Sequence, residues 1–136
     1  MFKRYFMVFL SVAFVLSFYF ATNKPLFSDY ADEYELYLKE NSSLAKIVTA
    51  NRISFPFYFT VKGEACVTES ADVSRLLADF NAEKVFTEET EDALIVYAYS
   101  EKIPYLKNVK SKKVNLQIVQ RKGVIKVGSP LIYGSF

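Results

Sequence analysis

The chain has 136 residues, enough for one domain, and its 51% hydrophobic composition excludes a disordered polar tail. It contains no histidine, which excludes Ser-His-Asp and Cys-His catalysis and zinc sites built on imidazole. The single cysteine, Cys66, excludes an internal disulfide, and the formal net charge of +2 conceals a strong asymmetry along the chain.

Lys3 and Arg4 precede an apolar run from Tyr5 to Thr22, interrupted by Ser11 and Ser17. About 18 residues as a helix span ~27 Å, just short of a bilayer's hydrocarbon core. The run is expected to be an uncleaved signal anchor with Lys3 and Arg4 in the cytoplasm, or a cleaved signal peptide. A cut after Ala21 would place Tyr19 at the −3 position, a poor fit, and no cysteine follows to make a lipoprotein signal. Either reading puts the residues after Lys24 outside the cytoplasm. The expected organisation is residues 1–22 as anchor or signal, 23–27 as linker and 28–136 as an extracytoplasmic domain.

Residues 28–46 read as a helix, because Tyr30, Tyr34, Tyr37 and Leu38 fall on one stripe, with Ser28 or Asp29 as its cap. Residues 53–61 alternate as a strand, with Ile53, Phe55, Phe57, Phe59 and Val61 on one face. Glu64–Thr68 continues extended. A second helix over 71–80 follows from Val73, Leu76, Leu77 and Phe80, with Ser70 as cap and Asn81 as terminator. Strands are expected at 83–88 and 93–100, joined by the acidic turn Glu88-Glu89-Thr90-Glu91-Asp92. Ala93–Tyr99, apolar on both faces, reads as the central strand. Pro104 opens a loop to about Ser111, and Val114–Gln120 is a strand. Arg121-Lys122-Gly123 turns into Val124–Val127, Gly128-Ser129-Pro130 breaks it, and Leu131–Tyr133 is a short extended tail. The order predicts an α+β fold. It is a two-layer sandwich of a mostly antiparallel curved sheet with one or two helices on one face, preceded by an N-terminal hydrophobic helix.

From Asn23 to Glu101 there are 7 Lys+Arg against 15 Asp+Glu, a balance of −8; from Lys102 onward there are 8 Lys+Arg and no acid. The basic residues Lys102, Lys107, Lys110, Lys112, Lys113, Arg121, Lys122 and Lys126 are candidates for binding an anionic polymer or lipid headgroups. The competing reading is that they neutralise the acidic half across the fold and guard strand edges. Asn115 and Gln117, on one strand face, are weaker ligand candidates. The acidic turn lacks the spacing and central Gly of a Ca²⁺ loop and reads as a solvated hairpin. Gly128-Ser129-Pro130 is not a nucleophile elbow, and no Gly-rich phosphate loop exists. No catalytic residue, metal site, cofactor or nucleic-acid partner is expected.

Lys113-Val114-Asn115-Leu116-Gln117-Ile118, followed after a turn by Val127-Gly128-Ser129-Pro130-Leu131-Ile132-Tyr133, resembles the Asn-Leu-Gln strand and Gly-Thr/Ser-Pro ending of the YwmB family. These are uncharacterised exported proteins of Gram-positive bacteria. The resemblance covers roughly residues 55–136 and implies a curved, TATA-box-binding-like α/β shape without DNA activity or established catalytic residues. The family has two such halves; this chain has room for one, which implies an exposed sheet edge and pairing of two chains through it. The anchor segment, the absence of histidine and the lack of a nucleophile arrangement lead to the expectation of a non-enzymatic binding or scaffold module of the bacterial cell envelope. A binder of anionic polymers or lipids is the alternative, and a carboxylate-dependent hydrolase is a third reading.

Overall fold

A computed structural model describes residues 1–20, 22–31, 33–38, 45–48, 53–54 and 60–133, with backbone alone at 19–20, 22–23, 45–48 and 53–54. Helix α1 (Phe2–Phe20) is followed by the short strands β1 (Thr22–Asn23), β2 (Tyr34–Tyr37), β3 (Ala45–Val48) and β4 (Ile53–Ser54). Then come β5 (Gly63–Thr68), α2 (Val73–Asp79), β6 (Glu83–Glu89) and β7 (Ala93–Tyr99). The chain closes with β8 (Lys107–Val109), β9 (Lys112–Val114), β10 (Leu116–Arg121) and β11 (Val124–Ser129). Seven strands make one sheet in the order β3-β2-β5-β11-β10-β7-β6, with every pair antiparallel. The fold is α+β, as the pattern of elements predicts.

Cross-strand partners share a face of a sheet. Leu36 lies opposite Glu64, Val127 opposite Cys66, and Ile118 between Val127 and Val96. These residues define the inner face, which α2 and the turn Leu26–Tyr30 cover with Leu76, Phe27 and the half-buried Leu77 and Phe80. Helix α2 starts at Asp72, whose carboxylate accepts the Arg75 N–H at 2.8 Å, so Asp72 rather than Ser70 is the cap. Phe80 closes the helix, and Asn81 leaves it at φ +49°. On the outer face, Gln117 accepts the Ile132 N–H at 2.7 Å, and Tyr133 meets Tyr37 edge-on.

Four expectations are corrected. The described residues of 28–46 form no helix: Leu26–Tyr30 is a turn, and β2 and β3 follow. The tyrosines that match a helical stripe also suit a strand, and pairing of Glu35, Leu36 and Tyr37 with β5 decides between the two. β7 is not central. It lies one strand in from the edge, and its second apolar face is used by Tyr97, stacked on Phe86 at 4.3 Å. The loop after Pro104 contains the hairpin β8–β9, whose two-residue turn Lys110-Ser111 has both φ angles positive. The strand expected from Val114 is divided at Asn115 between β9 and β10. Of the strand expected at 53–61, Ile53–Ser54 pairs with β1, and 55–59 lies outside the described residues.

Helix α1 forms where the anchor is expected, yet among the described residues no helix is long and apolar enough to cross a membrane. Lys3 and Arg4 lie inside it, so the uncharged part begins at Tyr5. That part spans about 24 Å against a hydrocarbon core of about 30 Å.

Strand β6 is one edge of the sheet. It carries a register shift between Lys84 and Phe86 and exposes Glu83, Lys84 and Glu89, features that hinder strand addition. In the middle of the sheet, Gly63 is required by close approach: a Cβ there would lie 2.6 Å from the Ser129 carbonyl oxygen and 3.0 Å from Pro130 Cδ. Gly63→Ala is expected to cost about 1–3 kcal/mol by forcing this packing apart. Urea unfolding should show a lower midpoint at unchanged slope.

Candidate functional site

β5 carries the two chemically notable buried side chains. Glu64 is 0% exposed; its Oε1 accepts the Leu26 N–H and its Oε2 the Tyr105 O–H, each at 3.0 Å. Burial pushes its carboxyl above the ordinary 4.5, while those two hydrogen bonds pull the other way. Cys66, two residues on, shares the inner face. Burial first, then the charges of Glu64 and Glu35, push its thiol up to about 12, with Lys126 opposing. A thiol so placed is not a nucleophile at neutral pH.

Beside these residues the ladder between β2 and β5 opens. Pairing runs from Tyr37 opposite Gly63 to Glu35 opposite Ala65 and stops, although β5 continues to Thr68. The Thr68 hydroxyl donates to the Tyr30 carbonyl at 2.9 Å and closes the far end. Between these points lies a groove of about 630 Å³ lined by Tyr30, Glu33, Tyr34, Glu35, Val67 and Glu69 among others. Glu35 is engaged twice: the Tyr37 hydroxyl donates to its Oε2 at 2.7 Å and the Lys126 ammonium to its Oε1 at 3.0 Å. No lysine or arginine lines the groove among the described residues. The sequence pattern hides this site because it assigns Tyr30 and Tyr34 to a helical stripe, and no spacing rule signals the opening of a ladder.

The structure disperses the eight basic residues. Lys126 is 2% exposed and paired with Glu35. Arg121 Nε is 3.5 Å from Asp92, and Lys110 bonds Glu88, so the basic end meets the acidic turn. Lys110 and Lys112 also lie over the Phe86 ring, at 5.2 and 5.8 Å from its centroid, and Lys107 over Tyr133. Lys102, Lys113 and Lys122 are exposed. The hairpin β8–β9 thus brings Lys110 and Lys112 together over Phe86 and carries Lys113 next to Lys112 on the alternate face of β9, while Arg121, Lys122 and Lys126 lie on other strands and turns.

Asn115 and Gln117 have structural work. Asn115 is buried; its Oδ1 accepts the Ser100 N–H at 2.8 Å, and its Nδ2 donates to the Ser100 carbonyl at 2.6 Å. Gln117 holds the C-terminal segment through Ile132.

No family model, no curated protein and no solved structure matches the chain.

Two outcomes follow from the groups on β5. Because the folded-state pKa of Glu64 is raised, the native chain holds that proton more tightly than the unfolded one. Its contribution is fully present below about pH 4.5 and is lost as pH rises through the raised folded value. Glu64→Gln should therefore melt higher than the parent at pH 7, with the difference shrinking toward pH 4.5 in thermal scans. Cys66 should resist iodoacetamide at pH 8 in the native chain and react fully in denaturant, as read by intact mass.

Proposed function

We propose that the chain is a non-enzymatic binding module of the bacterial cell envelope, held at a membrane by α1. The observation that carries this reading is the exposure of every large apolar side chain of α1 from Phe2 to Phe18, with Phe9 at 67% and Phe14 at 74%. So continuous an apolar surface on one helix calls for an apolar phase. The two serine hydroxyls on the helix suit one: Ser11 bonds the Met7 carbonyl at 2.9 Å and Ser17 the Ala13 carbonyl at 2.8 Å. The helix then buries itself in lipid without crossing, and Lys3 and Arg4 sit among headgroups. Release into the extracytoplasmic space after cleavage of this segment is the alternative location.

The non-enzymatic part is supported by the absence of histidine, by a buried carboxylate with both oxygens engaged, and by a thiol kept protonated. The YwmB-like ending of the chain agrees with an exported module. Pairing of two chains through a sheet edge is a lesser part of the proposal, since β6 is blunted.

Flotation of the full chain with vesicles tests the reading. Binding to neutral phosphatidylcholine vesicles should persist in 1 M salt, because apolar burial is not screened. The pair Phe9→Asp and Phe14→Asp should reduce it at least about tenfold. Flotation only with anionic vesicles and only at low salt would transfer the role to Lys110, Lys112 and Lys113. No flotation with either would overturn the membrane reading.

A further inference from the structure

We infer that the β8–β9 hairpin rests on the anionic headgroups of the membrane that holds α1, so that the domain lies against the lipid by this side. The inference rests on the membrane reading of α1 and deepens it by naming the face of the domain that meets the lipid. The short connection makes such a face necessary. Phe20 ends α1, and Leu26 is already fastened in the domain by the bond of its N–H to Glu64 Oε1. The stretch between them reaches about 20 Å at most, so a domain tied to a lipid-held α1 stays close to the headgroups.

The same carboxylate selects the side. Glu64 Oε2 accepts the Tyr105 O–H at 3.0 Å, so the point where the chain from α1 enters the domain and the segment that leads into the hairpin meet at one residue. Leu106 follows directly and is 53% exposed; beyond α1, only it and Val67 are large apolar side chains so open among the described residues. From Lys107 to Lys113 the hairpin carries Lys107, Lys110, Lys112 and Lys113 and no acid. Lys110 is engaged by Glu88, whereas Lys112 and Lys113 are exposed and make no ion pair among the described residues. The Phe86 ring under Lys110 and Lys112, and the Tyr133 ring under Lys107, order these side chains before any partner arrives. An open leucine beside a row of lysines fits a surface that is charged by phosphate at its face and apolar beneath. A dissolved polyanion would engage the lysines and leave Leu106 in water, and so fits less well.

The full chain would be bound to phosphatidylcholine vesicles with and without phosphatidylglycerol, its lysines acetylated, and the labelling read by peptide mass. Phosphatidylglycerol should slow acetylation of Lys112 and Lys113 several-fold. Lys84, whose strand partner Ala98 lies in the inner core, and Lys122, in the β10–β11 turn, should label equally on both vesicles. The protection should fade as salt rises. In flotation, Lys112→Gln with Lys113→Gln should weaken binding to the anionic vesicles at least about tenfold, each lysine at such a surface counting for about fivefold, and leave binding to neutral ones unchanged. Leu106→Asp should weaken anionic-vesicle binding several-fold. Lys84→Gln with Lys122→Gln, which removes the same charge elsewhere, should do neither. All five residues are exposed, so the fold should be unaffected. Equal acetylation on the two vesicles, or equal weakening by the Lys84 and Lys122 pair, would overturn the hairpin as the contact. Stronger protection by soluble poly(glycerol phosphate) than by anionic vesicles would overturn it too and give the hairpin to a polymer. The two claims fail separately: flotation on neutral vesicles with the hairpin lysines never protected ends this inference alone, and protection on anionic vesicles without flotation on neutral ones ends the α1 reading alone.

Discussion

A carboxylate buried in the middle of the sheet constrains the rest of the domain. Glu64 is removed from water on β5, and that is tolerable only because both oxygens receive hydrogen bonds. Its partners come from distant parts of the chain: the Leu26 N–H from the turn before β2 and the Tyr105 hydroxyl from the loop before β8. Satisfying this one group fixes where both segments lie. The turn then drops Phe27 into the inner core beside Phe80, and Tyr105 packs against both apolar clusters. The carboxylate therefore acts as a positioning device for the layer that covers the sheet.

Charge follows the same topology. The acidic and basic halves of the chain do not form two lobes, because the sheet interleaves them: β5 lies between β2 and β11, and β10 between β11 and β7. Lys126 reaches Glu35, Lys110 reaches Glu88 and Arg121 approaches Asp92. The exposed pairs contribute little to stability, being screened by solvent. The Lys126–Glu35 pair matters for a different reason: the Lys126 ammonium is buried and depends on the half-buried Glu35 for its counter-charge. What survives of the asymmetry is local, a lysine cluster on the β8–β9 hairpin and a carboxylate rim at the β2–β5 opening.

Helix α1 stands apart from this arrangement. The domain has its own closed core of Phe27, Leu76, Val96, Leu116, Ile118 and Val127. The helix keeps its large side chains on the surface. One chain thus carries two apolar systems, one satisfied internally and one not. The second is the observation on which the proposed membrane attachment rests.

Much of this was legible from residue order. Strict patterns with a single solution came through: the Val73, Leu76, Leu77 and Phe80 stripe made α2, the Lys122-Gly123 turn joined β10 to β11, and the apolar run made α1. Local chemistry sufficed there, because each pattern satisfies its own backbone and its own apolar face. The segment from Tyr30 to Leu38 was ambiguous, since its tyrosines fit both periods, and only pairing with β5 decided it. Asn115 looked like a surface amide; a loop returning from Ser100 and Ile103 makes it a buried anchor. The buried Glu64, the neutralising pairs and the groove belong wholly to tertiary structure. Each depends on which strands become neighbours, and strand neighbours are set by burial and pairing across the whole chain, which no local window contains.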